Sequence, residues 1–352
     1  MTTVREIASN LGVSPATVSR SLNGSAQISE PVKVKVLREA RRLGYGRNKL
    51  RNRPVTALTL GLAFLNEDSW PQYGGYDSEI WTGFSRGAVS RQSGVTLVDF
   101  SHREQGESYR SFLARYGVTG LVLRVDDTTR SKAIDIANDG VEVVVIADKF
   151  DEPNVNYVYC ESMDGSREAV EHLIHLGHQR IGFCCNTIMD RDHTDRQNGY
   201  LLALKKAGIE PDPELHLKGP ASIDGGVAAL NRFISLSKPP TALFFADPEM
   251  TIGALRRAQE LNIRVPDEVS VVGFDDEMFR RMTYPIYTSV CQTAAELGFQ
   301  AARWLARPMS EDDSPAERLN LALHAFVEVN HSTAPPPPQP VRVMPSGQRV
   351  SG

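Results

Sequence analysis

Apolar residues near the start of the chain recur at helical spacing: Val4, Ile7, Ala8 and Leu11 form one stripe, with Arg5, Glu6, Ser9 and Asn10 between them. This predicts a short amphipathic helix. Gly12 supplies a tight turn, Val13 a buried plug, and Ser14-Pro15 the cap and first turn of a second helix. That helix runs through Leu22 and stops at Asn23-Gly24, residues that tolerate the left-handed conformation. Val18 and Leu22 pack it on the first helix, which leaves Pro15, Ala16, Ser19 and Arg20 facing outward. A third helix follows Ser29, with Val32, Val36, Leu37, Ala40 and Leu43 inward and Lys33, Lys35, Arg38, Arg41 and Arg42 outward. Three short helices joined in this way describe a helix-turn-helix.

From Ala57 the pattern changes to short β-rich runs alternating with amphipathic helices, the signature of a parallel sheet flanked by helices. It occurs twice. Strands are predicted near Leu58–Phe64, Val95–Phe100, Gly120–Val125 and Val141–Ala147, with helices near Ser78–Gln92, Arg103–Tyr116 and Arg130–Asn138. A second series places strands near Arg180–Cys185, Leu215–Lys218, Ala242–Ala246 and Val269–Phe274, with helices near Asp164–Leu176, Asp195–Ala207, Gly226–Leu236 and Pro248–Glu260. The expected fold class is α/β: a small all-α helix-turn-helix domain followed by two doubly wound α/β lobes. Its parts read as a head over 1–45, a linker over 46–56, a two-lobed body over 57–331 and a tail over 332–352. The tail contains Pro335 to Pro338 and ends polar, a composition that predicts disorder.

Charge divides along the same line. Residues 1–53 carry 11 Lys or Arg against 3 Asp or Glu, and the other 299 carry 28 against 40, so a basic head precedes an acidic body. A net charge of −4 excludes a uniformly basic nucleic-acid coat protein, while the head alone suits phosphate contact. Arg20 and the apolar tips of Pro15 and Ala16 suit base edges and thymine methyls. Cys160, Cys184, Cys185 and Cys291 have neither zinc-site spacing nor the density of a disulfide scaffold, which points to a reducing compartment. Neither a secretory signal nor a membrane-length apolar run is visible, so a cytoplasmic protein is expected. His172, His175 and His178 recur every three residues, but Gly177 interrupts them; they read as a solvated helix face with a C-terminal cap rather than a metal site.

Neither a glycine-rich dinucleotide fingerprint nor a P-loop lysine follows any strand, so no cofactor is expected. Ligands of open parallel sheets sit beyond the carboxyl ends of strands. That rule selects Asp148, Arg191, His193, Arg196, Asp247, Asp275 and Asp276. Carboxylates accept from hydroxyls, Arg donates as a fork, and Trp70, Tyr73, Tyr76 or Trp81 offers a ring face. The set fits a polyhydroxylated ligand such as a sugar. A structural reading stands beside it, because Asp is also a common turn residue. The alternative function is an enzyme acting on a sugar with Asp275 and Asp247 as acid and base, which leaves the helix-turn-helix unexplained.

The string IASNLGVSPATVSRSLNG, from Ile7 to Gly24, resembles the LacI family of bacterial transcription regulators. The runs from His172 to Gly182, Arg196 to Tyr200 and Val269 to Asp276 look like landmarks of the same family, and the resemblance covers roughly residues 4 to 330. It implies a second helix in the major groove, with Pro15, Ala16 and Arg20 at base-reading positions and Thr17, Ser19 and Asn23 holding the phosphate backbone. It implies a body like a periplasmic sugar-binding protein, with Asp148, Arg196, Asp275 and Gln292 at effector-contact positions; Tyr76 and Asp247 join them from the strand-end reading. It also implies a linker that turns helical on DNA and wedges a leucine into the minor groove. Leu50 is the candidate, although the proline usual after Tyr45 and the Ala-Arg pair usual before the leucine are absent. Two body positions also depart: Glu161-Ser162 stands where Asp-Asn is usual, and Ala246 replaces a common Asn. No leucine-heptad helix ends the chain, so a dimer is expected, its recognition helices about 34 Å apart on a pseudo-palindromic operator. The expected function is a DNA-binding repressor controlled by a small polar effector.

Overall fold

The computed structural model describes residues 3–22, 28–42, 58–65, 75–187, 189–275, 278–307, 318–344 and 347–350. Contacts cluster the chain into two units that divide after Ala57.

In the first unit Thr3 caps α1 (Val4–Leu11), its hydroxyl accepting from Glu6 N at 3.3 Å. The chain turns at Gly12, whose φ of 64° lies in the left-handed region that glycine enters without strain. Ser14 caps α2 (Pro15–Leu22) by accepting from Thr17 N at 3.1 Å, and α3 (Glu30–Arg42) completes the unit. Ile7, Ala8, Val18, Val36 and Ala40 are buried together, with Val4, Leu11, Val13, Leu22 and Val32 packed around them. Asn23, the Leu37 side chain, Leu43 and Leu50 lie outside the described residues.

The second unit begins with lobe one: β1 (Thr59–Phe64), α4 (Gly75–Val89), β2 (Gly94–Leu97), α5 (Tyr109–Arg115), β3 (Val118–Arg124), α6 (Arg130–Asn138), β4 (Val143–Ile146) and β5 (Val155–Glu161). Lobe two follows as α7 (Met163–His175), β6 (Ile181–Asn186), α8 (Arg191–Lys206), β7 (His216–Gly219), α9 (Ile223–Ser235), β8 (Ala242–Phe245), α10 (Pro248–Glu260), β9 (Ser270–Asp275), α11 (Met278–Arg281) and β10 (Thr288–Cys291). The chain then returns. α12 (Ala294–Leu305) packs on α4 and buries Ala294, Leu297, Ala301 and Leu305 in the core of lobe one. β11 (Asn320–His324) joins that sheet beside β5, and β12 (Phe326–Glu328) goes back to lobe two, antiparallel to β10. The sheets therefore run β11-β5-β4-β3-β1-β2 and β12-β10-β9-β8-β6-β7, linked by crossovers after β5, β10 and β11. β4 and β8 are buried along their whole length, as strands covered by helices on both faces must be.

Several element limits differ from those the sequence predicts, for local reasons. The helix expected from Arg103 begins at Tyr109, where Ser108 caps it, because Gly106 sits at a φ of 80°. α8 begins at Arg191 rather than Asp195, and α9 at Ile223 rather than Gly226, because Asp190 and Ser222 cap them. Trp81 lies on α4, within the span predicted as helix, against Phe84 with ring centroids 5.8 Å apart.

The largest correction is the tail, which is not disordered where it is described. Ser332 Oγ donates to Val271 O at 2.5 Å and accepts from Thr288 N at 2.7 Å, closing the starts of β9 and β10. His178 Nε2 donates to Ala334 O at 2.9 Å, and His172 Nε2 lies 2.9 Å from Thr333 Oγ1, so two of the histidines read as a solvated face hold this strap. Further on, Val343 is buried in the core of lobe two and its N–H donates to Ile234 O at 2.9 Å. Composition is blind to such a segment, because its anchors are partners far away along the chain.

Candidate functional site

On α2 the side chains of Pro15, Ala16, Ser19 and Arg20 are exposed and Thr17 is half-buried, while Val18 opposite them is fully buried. One apolar edge thus fixes the helix to its unit and leaves its N-terminal turns presentable to a groove.

In the body, the ends of β8, β9 and β10 bring Asp247, Asp275 and Gln292 to one side of lobe two. Gln292 N donates to Asp275 O at 3.2 Å. Arg196, from α8, is buried beside them: Nη1 donates to Ala246 O at 2.6 Å and lies 3.9 Å from Asp247, Nη2 lies 3.6 Å from Asp192, and the guanidinium covers the Phe274 ring at 3.6 Å. Behind it Asp190 caps α8 and binds His193 Nδ1 at 2.7 Å, and His193 Nε2 donates to Asp247 Oδ1 at 2.9 Å.

Electrostatics follows from this packing. Burial alone would strip the proton from His193, but the carboxylates of Asp247 and Asp190 prevail and hold its pKa up at about 10. Asp190, despite its burial, is held well below the usual carboxylate range by His193 and Arg196. Burial pushes Asp192 up to about 7 against the pull of Arg196 and Arg124. Asp192 Oδ1, Asp247 Oδ2, Asp275 Oδ1, Gln292 Oε1 and Arg196 Nε are buried with no hydrogen-bond partner among the described residues. Buried polar atoms left open in this way are free to accept from or donate to a ligand.

Lobe one contributes differently. Tyr76 lies in the first turn of α4, with the Arg124 guanidinium 5.0 Å from its ring centroid. Arg124 Nε donates to Asp77 at 3.3 Å and Nη1 to Ile146 O at 3.2 Å. Asp148, after β4, is turned inward: Arg130 Nη1 donates to Oδ2, and Lys149 N donates to Oδ1 at 2.8 Å. Asp148 also lines a cavity of about 530 Å³ shared with Arg130 and Lys149 of lobe one and Arg191 and Thr194 of lobe two. Of the six residues expected around an effector, the structure pairs Arg196 with Asp247 and Gln292 with Asp275 at the strand ends of lobe two and places Tyr76 and Asp148 on lobe one. Trp70, Tyr73 and Asp276 fall outside the described residues.

Sequence reasoning passed over Asp190, Asp192 and Arg124, and it took His193 as a strand-end candidate without its partner Asp247. The Asp190 to His193 spacing is a capping signal, but the bond from His193 to Asp247 spans 54 positions and leaves no local trace. No helix among the described residues is long and apolar enough to cross a membrane.

Comparison with known proteins places this architecture. Residues 3–48 match the bacterial regulatory proteins of the lacI family, and residues 170–327 match the periplasmic binding protein-like domain. The probable HTH-type transcriptional repressor ExuR of Bacillus subtilis is 30% identical over 324 residues, covering 91% of this chain and 95% of the relative. The chain belongs to the LacI family. The HTH-type transcriptional repressor CytR of Escherichia coli is 28% identical over 306 residues, covering 85% of this chain and 87% of the relative. Among solved structures, the transcriptional regulator CelR–cellobiose complex superposes with a TM-score of 0.64 at 28% identity, covering 94% of this chain and all of that one. This LacI-family chain is accordingly a DNA-binding transcriptional repressor and not an enzyme.

Proposed function

We propose that this repressor is controlled by a polyhydroxylated effector, a sugar or sugar derivative, seated against Arg196, Asp247, Asp275 and Gln292 and covered by Tyr76 and Asp148 of lobe one. The observation that carries the reading is the inventory of open atoms on these residues: one oxygen each of Asp247, Asp275 and Gln292 awaits a donor, against one open Arg196 N–H. A sugar ring offers several hydroxyl donors at once, whereas an anionic ligand would meet carboxylates. A nucleobase mixes donors and acceptors and suits this inventory less well. The cellobiose bound to the CelR neighbour agrees with the same class.

The repressor acts on DNA in the cytoplasm as a homodimer on a pseudo-palindromic operator. Pro15, Ala16 and Arg20 read bases, Thr17, Ser19 and Asn23 hold phosphates, and Leu50 wedges the minor groove. The head over 1–45, the linker over 46–56 and the body from 57 are its working parts. Effector binding controls operator affinity by the amount it prefers one lobe arrangement over another. Calorimetry of the full chain against a panel of mono- and disaccharides, with purine bases as the contrast, tests the ligand class. Binding of a sugar that Arg196→Ala abolishes supports the reading, and binding of a purine alone overturns it. Selection from random duplex DNA at near-physiological salt tests the operator reading, which a motif without twofold symmetry would overturn.

A further inference from the structure

Asp275 has two oxygens in different situations. Oδ1 is open, while Oδ2 accepts from Arg280 N and from Arg280 Nη1, both at 3.1 Å. Arg280 is itself buried, and its other guanidinium nitrogens donate to Glu328 of β12 at 3.2 and 2.7 Å. The orientation of α11 is therefore set by Asp275 on one side and by the strand after the last crossover on the other. The residue before Arg280 reaches the opposite lobe. Phe279 lies on the first residue of α4, Gly75, so closely that a Cβ built there would overlap its ring. Tyr76 and Asp77, which hold Arg124, are the next two residues of the same helix. Beside this contact a cavity of about 250 Å³, lined by Glu79, Arg280, Gln292, Thr293 and Phe326, leaves room for α11 to shift.

We propose that Arg280 and Phe279 form the relay by which a change at Asp275 in lobe two is transmitted to the start of α4 in lobe one. Arg280 is a positioning residue: it touches no open valence of the site but couples Asp275 Oδ2 to the turn that carries Phe279. A ligand hydroxyl on Asp275 Oδ1 would weaken Oδ2 as an acceptor, loosen Arg280 and let the Phe279 ring slide from Gly75. Packed elements with two discrete arrangements carry coupling of this kind. The relay rests on the reading that the effector meets Asp275. Its test uses no effector, so failure of one is distinguishable from failure of the other.

The experiment is amide hydrogen exchange by mass spectrometry on the full chain, in a double-mutant cycle of Asp275→Asn and Phe279→Ala. Asp275→Asn halves the charge-assisted hold on Arg280 and should raise exchange at residues 75–80 about tenfold, within the ordinary range of allosteric coupling. In the Phe279→Ala background the same substitution should leave those residues unchanged, because the link is already cut. An Asp275→Asn effect confined to lobe two, or one of equal size at 75–80 in both backgrounds, would overturn the relay. Should Asp275→Asn fail to fold, Gly75→Ala drives the relay in reverse. Its methyl displaces the Phe279 ring and should speed exchange at 278–281, and adding Phe279→Ala should restore it. Unchanged exchange at 278–281 in Gly75→Ala would overturn the proposal as well.

Discussion

The two lobes end a buried strand on the same pair of residues and use the pair in opposite ways. In lobe one β4 leads into Ala147-Asp148, with Ala147 at a φ of 68° and both oxygens of Asp148 taken by Arg130 and Lys149 N. In lobe two β8 leads into Ala246-Asp247, where Ala246 avoids the left-handed region, its carbonyl accepts from Arg196, and Asp247 keeps one oxygen open. At this pair lobe one has closed its carboxylate on itself and lobe two has not. The proposed effector would accordingly rest on lobe two and be covered by lobe one. The same difference predicts that lobe two is the more sensitive to loss of a cation, because its buried charges depend on one another.

The sharpest way to break this comparison is to remove the cation from each side. Arg196→Ala leaves Asp192 and Asp247 buried without their shared partner, which should cost about 3–5 kcal/mol of stability. Arg130→Ala should cost well under half of that, since Arg130 is about a third exposed and Asp148 keeps its backbone donor. Urea denaturation of both variants decides it, and equal losses would remove the asymmetry.

The pH response should be just as one-sided. His193 has a raised folded pKa, so its contribution is whole below 6.5 and is lost as pH rises through about 10. Asp192 is also raised, so its protonated form favours the fold below 3.8 and that support is lost as pH rises through about 7. Burial lowers His172, His178 and His216 of the same lobe, so these gain stability as pH rises to 6.5 and oppose Asp192 there, and the decline due to His193 stands alone above 6.5. Denaturation midpoints should fall above pH 6.5 in the wild type, and between pH 4 and 7 their slope should be more negative in the wild type than in Asp192→Asn. An identical slope in the variant would show that Asp192 titrates no differently when folded.

The strap sharpens the comparison from another side, because its described contacts lie on lobe two. Val343→Ala removes two methyl groups from that core and should cost about 2 kcal/mol. Limited proteolysis of the variant should release fragments from lobe two before lobe one. Cleavage beginning in lobe one would show that the strap does not secure the lobe it covers.

How much of this could be read beforehand depends on the range of the interactions. The stripe of Val4, Ile7, Ala8 and Leu11 and the cap at Ser14 act within a few residues, so the head was legible in detail, as were the buried strands β4 and β8. The strand-end rule found Asp247 and Asp275 because it depends on topology alone. Out of reach were features made by distant segments: α12 crossing back to α4, His193 meeting Asp247, and Ser332 closing β9. Asp148 shows the same limit from the other direction. Its position was legible, but its engagement by Arg130 was not, and that engagement separates a closed carboxylate from an open one.

The smallest test returns to Ala147. Holding an L-residue left-handed costs roughly 1–2 kcal/mol, and glycine removes that strain while adding about 0.4–1 kcal/mol of unfolded-state entropy. Ala147→Gly should therefore stabilise lobe one slightly, by less than about 1 kcal/mol, whereas Ala246→Gly has no strain to release and should destabilise lobe two. Opposite signs at two equivalent positions are hard to obtain from any general effect of glycine. A stabilising Ala147→Gly would mean that lobe one holds Asp148 against Arg130 at a conformational cost, and loss in both variants would mean that Ala147 rests comfortably where it stands.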